Sequence, residues 1–128
     1  MDKVGRPIYI ERSGYVQPDK IWAVCEPDYL WKSYMQSYEI LNKLHFMAAS
    51  QVSKKQIFHT TSILDMTNFS IGMMNKRVYS LVQHASKIAQ DYYPEQLGQM
   101  FIVNAPMLFT GVWALVKVWL DEKTREKI

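Results

Sequence analysis

The sequence predicts an α/β domain built on a mostly parallel sheet, and three observations carry that prediction. Short β-like runs alternate with longer stripes at helical spacing, in the order strand, helix, strand, helix, strand, helix. The chain has 128 residues, 48% hydrophobic and 21% charged, which is the size and composition of one globular domain with one core. It contains no internal repeat, no low-complexity tract and no linker-like run of Pro, Gly or Ser.

The first strand is predicted in "RPIYIERSG", where Ile8 and Ile10 fall on one face and Tyr9 on the other, between Pro7 and Gly14. A loop or short helical turn follows through "QPDKIWAVCEP". From Asp28 to about Ser50, the residues Leu30, Tyr34, Tyr38, Leu41, Leu44 and Ala48 recur at steps of three and four. That spacing predicts one long helix with Asp28 near its N-cap. "QIFHTTSILDM" then offers Ile57, Phe58, Ile63 and Leu64 around a hydroxyl-rich centre, a second strand of mixed facing.

From about Ser70 to Gln90, the stripe Met74, Val78, Leu81, Ala85 and Ile88 predicts an amphipathic helix, with Lys76, Arg77, Gln83 and Lys87 mostly off it. Pro94 and Gly98 close the turn behind it. "QMFIVNAP" is a continuous apolar run bounded by turn residues, which predicts a strand buried on both faces.

The last predicted helix, Met107 to Leu120, is unusually apolar. At 100° per residue, Leu108, Phe109, Val112, Trp113, Leu115, Val116, Trp119 and Leu120 cover almost half the wheel, opposite a narrow polar stripe of Thr110 and Lys117. Rising about 1.5 Å per residue, this segment spans roughly 21 Å, short of the ~30 Å hydrocarbon core of a bilayer. It is therefore not read as a transmembrane helix. Either a larger core than this chain supplies covers it, or part of its apolar face meets a ligand or a membrane.

Catalytic and metal-binding patterns are missing. His45, His59 and His84 are far apart, and no Cys-x-x-Cys, His-E-x-x-H, acidic calcium loop, G-x-G-x-x-G, phosphate-loop lysine or G-x-S-x-G pattern occurs. "HTTSILD" holds His59, Ser62 and Asp65, but on a strand positions 59 and 62 point to opposite faces, which argues against a nucleophile and base pair. No enzyme activity, no metal and no cofactor are expected. The 15 basic and 12 acidic residues give a net charge of +3, too small and too dispersed for nucleic acid but compatible with weak attraction to an anionic membrane. The single cysteine, Cys25, excludes an internal disulfide framework and fits a reducing compartment, and "MDKVGRPIYI" lacks the apolar core of a secretory signal. A cytoplasmic location is expected.

Tyr9, Tyr29, Tyr34 and Tyr38 either line one side of a cavity, where a ring also suits a quaternary ammonium group, or pack as plain core. Thr60 and Ser62, two apart on one strand, share a face and are positioned to orient an amphiphile if that face looks into an apolar cavity.

Three segments in order, "DKVGRPIYIERSG", "SILDMTNFS" and "YYPEQLGQMFIVNAPMLFTGVWALVKVWLDEKTREKI", resemble the CRAL-TRIO lipid-binding domain. More closely they resemble the Sec-fourteen-like phosphatidylinositol/phosphatidylcholine transfer proteins. The resemblance covers essentially the whole chain, and "YYPE" followed by "NAP" is its most specific part.

It implies a CRAL-TRIO fold in which the sheet floors an apolar pocket and an amphipathic gate helix, matched here by Met107 to Leu120, opens at a membrane to exchange one phospholipid. It implies no catalysis and no cofactor, only a phospholipid ligand. Leu108, Phe109, Val112, Trp113, Val116, Trp119 and Leu120 would then meet acyl chains. Thr60 and Ser62 match two hydroxyl positions at the choline-lipid phosphate, with the hydroxyl types exchanged, and Tyr9 and Tyr38 match aromatic positions near the choline. Glu95, Thr124 and Lys127 match positions at the inositol phosphate head. The implied partners are phosphatidylinositol, phosphatidylcholine and a transient membrane surface, with the protein a cytoplasmic monomer when complete, peripherally associated with Golgi or endosomal membranes.

Two departures accompany the match. Gln96 stands where an arginine often follows the glutamate, and the chain lacks the family's N-terminal helical region and its C-terminal strand and helices. The expectation is therefore a partial domain over residues 1–128, truncated at both ends, with an unpaired sheet edge. Two other functions remain open within the same fold: a regulatory or membrane-recruitment module of a signalling protein, and a carrier of another hydrophobe such as a tocopherol or retinoid.

Overall fold

A computed structural model describes all 128 residues. Three strands, β1 (Ile8–Glu11), β2 (Thr60–Asp65) and β3 (Leu97–Val103), form one sheet in the order β1-β2-β3 with both pairs parallel. Parallel neighbours need a crossover, and helices supply it. Between β1 and β2 run α1 (Pro18–Val24), α2 (Pro27–Ile40) and α3 (Phe46–Ser53); α4 (Lys76–Tyr92) joins β2 to β3; α5 (Phe109–Val116) and α6 (Glu122–Arg125) follow.

Local chemistry sets the helix starts. Proline opens α1 and α2 at the position where its missing N–H costs no hydrogen bond. Asn75 caps α4 by accepting from the Val78 N–H at 3.1 Å, and Asp121 caps α6 by accepting from the Thr124 N–H at 2.8 Å. The segment expected as a loop or short helical turn contains the seven-residue α1.

The long helix predicted from Asp28 to Ser50 is interrupted by a π-helical turn, Leu41–His45. A π turn inserts one extra residue, so everything after it is rotated against the α period. Leu44 and Ala48, on the predicted stripe, are exposed; Phe46 and Ala49 take the buried positions instead. With Ile57, and with half-buried Leu41 against them, they form the compact apolar cluster of the molecule.

β2 begins at Thr60, so Ile57, Phe58 and His59 precede the strand. The register passes from Thr60↔Leu97 to Thr61↔Gln99, leaving Gly98 as an extra residue on β3. A Cβ at Gly98 would stand 2.9 Å from the Thr60 carbonyl oxygen, so only glycine lets the two backbones approach this closely.

β3 is not buried on both faces as its apolar run predicts: Gln99, Phe101 and Val103 are exposed while Met100 and Ile102 are half-buried. The apolar helix is also shorter than predicted, with α5 ending at Val116 and a 3-10 turn over Lys117–Trp119. Only 10 of the 128 residues are buried, so much apolar surface lies open on β1, β3 and the segment around α5. No helix is long and apolar enough to cross a membrane.

Candidate functional site

The strand register gathers the choline-side candidates. Tyr9 pairs with Ser62, and Ser62 with Met100. Because strand side chains alternate, Tyr9, Thr60 and Ser62 belong to one face of the sheet. Thr60 is buried and its hydroxyl donates to the Gln96 carbonyl oxygen at 3.3 Å; Ser62 is half-buried.

Helix α2 brings Tyr34 and Tyr38, one turn apart, with hydroxyls at 3.3 Å and rings edge to face at 5.2 Å. Tyr38 also stacks on Tyr93 at 4.4 Å, and the Tyr93 hydroxyl donates to Glu39 Oε1 at 3.1 Å. The Tyr9 hydroxyl donates to Glu11 Oε2 at 3.1 Å. Burial, then the Glu11 carboxylate and Tyr38, push the Tyr9 phenol up to about 12. Burial, followed by Tyr38, raises Tyr34 as well. Of the tyrosines read from the sequence, Tyr9, Tyr34 and Tyr38 come together and Tyr29 stays outside, 65% exposed. Tyr93 joins them; the only sequence signal for it is its place in "YYPE".

The inositol-side candidates meet just before β3 and along its outer edge. Glu95 sits in the turn between α4 and β3 in the left-handed backbone region, φ 62°, which a non-glycine residue adopts only under local constraint. Lys127 Nζ donates to Glu95 Oε2 at 2.9 Å and Lys123 Nζ lies 3.4 Å from Oε1. Lys127 is placed by its own backbone, since its carbonyl accepts from the Met100 N–H at 2.7 Å. The hydrogen bond from Lys127, its charge, and then Lys123 lower the Glu95 carboxyl below its usual range. Thr124 lies close in sequence, but its N–H and hydroxyl are both engaged on Asp121, at 2.8 and 2.7 Å.

The two groups are joined through the backbone. The Thr60 N–H donates to the Gln96 carbonyl at 2.8 Å, next in chain to Glu95. Gln96, at the position of the expected arginine, pairs its amide with Asn42 of the π turn, Nε2 to Oδ1 at 3.0 Å. That contact, spanning 54 residues, has no local signature in the sequence.

The gate candidates divide by exposure. Val112 is buried, Phe109, Trp113, Val116, Trp119 and Leu120 are half-buried, and Leu108 is 67% exposed. Phe109 meets Phe69 edge to face at 5.9 Å and Trp119 meets Tyr79 at 6.0 Å. Gln90 fastens the end of the segment, its amide donating to the Trp119 carbonyl at 3.1 Å and accepting from the Asp121 N–H at 2.7 Å. Sequence reading missed this latch. Outside it, Met107, Leu115 and Val118 are exposed.

The apolar surface is open rather than closed into a pocket. A concavity of about 600 Å³ lies elsewhere, between the Gly14–Lys20 segment and the Asn68–Asn75 loop, and only three of its twelve lining residues are hydrophobic. No group of three or more His, Cys, Asp or Glu is placed to hold a metal ion.

Known proteins share both sequence and fold with this chain. It is 38% identical, over its whole length, to an Arabidopsis thaliana protein named phosphatidylinositol/phosphatidylcholine transfer protein SFH7, of which it covers 23%. It is 35% identical over 97% of its length to the Sec14 cytosolic factor of Schizosaccharomyces pombe, covering 43% of that protein. The chain thus spans less than half the length of either relative. The crystal structure of Sfh5 superposes with a TM-score of 0.64 over 99% of this chain and 44% of the other, at 20% identity, which is a likeness of fold. The family profile described as the CRAL/TRIO domain matches residues 1–128, every residue from first to last, and the chain belongs to that family.

Proposed function

We propose that this chain forms the phospholipid-binding part of a protein that exchanges phosphatidylinositol and phosphatidylcholine between membranes. One observation carries the reading: Glu95 and Lys127, 32 residues apart, form a charged pair at one end of a sheet that leaves large apolar side chains such as Ile10 and Phe101 exposed. A charged head group and two acyl chains together match such a surface. The relatives' names point to the same two lipids.

On this reading Lys127 contributes an ammonium to the inositol phosphate and Glu95 accepts from ring hydroxyls, with Thr124 beside them. Thr60 and Ser62 hold the phosphate of the choline lipid, and Tyr9 and Tyr38 offer ring faces to its trimethylammonium. Leu108, Phe109, Val112, Trp113, Val116, Trp119 and Leu120 supply apolar contact to acyl chains when the segment lies over the sheet. The chemistry is transfer without bond making. The lipid is the only partner this requires besides a cytosolic membrane surface, with Golgi and endosomal membranes as the proposed location.

Lipid transfer between vesicles tests the assignment, in the complete protein. Lys127→Ala is expected to lose phosphatidylinositol transfer about tenfold or more and to keep phosphatidylcholine transfer, as expected for one charge-assisted hydrogen bond of ~1.5–3 kcal/mol. Thr60→Ala and Ser62→Ala are expected to do the reverse. Equal loss of both lipids in every variant would mean these residues act through stability and would sink the assignment.

A further inference from the structure

Four stretches of chain converge where the sheet begins. Arg6 precedes β1, His59 precedes β2, Glu95 precedes β3, and Lys127 is bonded along the β3 edge. Gly98 leaves the space in which two of them meet: a Cβ there would stand 3.0 Å from His59 Cβ and 3.1 Å from Arg6 Nη1. The Thr60 N–H to Gln96 carbonyl bond, 2.8 Å, ties together the residues that follow His59 and Glu95 in the chain.

The charges that act on His59 are Lys127, Arg6 and Glu95. Lys123 flanks Glu95 at 3.4 Å, and Arg6 is held by Asp2, whose carboxylate accepts from the Arg6 N–H at 2.9 Å and lies 3.9 Å from Nε. Asp2 is in turn held by the Thr61 hydroxyl at 2.6 Å. Two lysines thus share one carboxylate, and a protonated imidazole would add a further positive charge to the same spot.

We propose that His59 is a pH-responsive part of the head-group site, whose protonation strengthens binding of an inositol phosphodiester at Glu95 and Lys127. This rests on the phosphatidylinositol reading above. In the free protein, burial first, then Lys127 and Arg6, hold the imidazole below its ordinary value of 6.5, with Glu95 opposing them. A bound phosphodiester anion offsets those two cations and raises it. The sign follows: a group whose proton affinity rises on binding strengthens that binding fully below its free value and loses the effect as pH rises through its bound value. The added affinity therefore develops on acidification and is absent at alkaline pH. The diester keeps one negative charge across this range, unlike a phosphomonoester with a second pKa near ~6, so the pH profile reports the protein.

The test measures binding between pH 8.5 and 5.0 to phosphatidylinositol vesicles, to phosphatidylcholine vesicles and to soluble glycerophosphoinositol. Affinity for both inositol ligands should be several-fold higher at pH 5.0 than at pH 8.5, with the gain confined to the acidic side of the range. Phosphatidylcholine should show no such rise. A gain with the vesicles alone would assign it to the anionic bilayer and overturn the proposal. His59→Gln should flatten the profile, and His45→Gln, an exposed residue of the π turn, should preserve it. A flat wild-type profile, or an unchanged rise in His59→Gln, would overturn the proposal and leave lipid binding intact. Absence of binding to any inositol ligand at every pH would instead overturn the phosphatidylinositol reading. Should His59→Gln fail to fold, an NMR titration of the wild-type imidazole decides: an upward shift on adding glycerophosphoinositol supports the role, and no shift ends it.

Discussion

Asp65, at the far end of β2, anchors more backbone than its surface position suggests. Its Oδ1 accepts from the Asn104 amide at 2.8 Å, the Thr67 hydroxyl at 2.7 Å and the Thr67 N–H at 3.0 Å, and Asn104 itself sits at φ 55°. Those donors, Asn104 first, hold the carboxyl at about 2. A depressed folded-state value stabilises above the unfolded value, 3.8, and the benefit disappears as pH falls through about 2. Asp65→Asn should therefore melt a few degrees below wild type at pH 7, with the gap closing between pH 4 and 2; a gap independent of pH would reject this account. Residues of this kind were hard to read from sequence. Thr60 and Ser62 share a face by strand alternation, which the sequence declares, whereas Tyr9 beside them and the Glu95 and Lys127 pair were reachable only through the family resemblance. Asn42, Asp2 and Gln90 carried no local signal because each meets a partner remote in the chain.

At the scale of elements, the segment around α5 has two unlike sides. Val112 packs inward, 5% exposed, while Leu115 faces out at 53%. Val112→Ala should destabilise the protein by about 1–3 kcal/mol through lost burial and a residual cavity. Leu115→Asp should stay within about 0.5 kcal/mol, as surface changes do, yet reduce insertion into phospholipid monolayers. Chemical denaturation and surface-pressure measurements separate the two; a large stability loss in Leu115→Asp would mean its side chain is core. The same contrast explains why β3 was misjudged. A run of apolar residues reports what a face is suited to meet, and Phe101 and Val103 remain 46% and 36% exposed here. Helix α1 was expected only as a loop or short helical turn, because its seven residues carry no clear stripe and none is fully buried.

For the molecule as a whole, the order of elements and the parallel pairing were legible, because alternating strands and helical stripes leave few connections open. Its thin core was not, since periodicity predicts which face turns inward but not how much covers it. Both outer strands keep an edge, and large apolar side chains such as Ile10, Phe101 and Leu108 are exposed. Sedimentation velocity should therefore show concentration-dependent association in plain buffer that phosphatidylcholine micelles suppress; a monodisperse species without lipid would contradict this. One feature reaches beyond stability. The π turn makes the count of residues between Tyr38 and Phe46 carry structural information. Shorten that interval by one, and the tyrosines keep their places while a different set of side chains rotates inward by about 100°. A gap placed there when related chains are aligned is thus a statement about which residues face the sheet, and ignoring it swaps core for surface along the whole of α3.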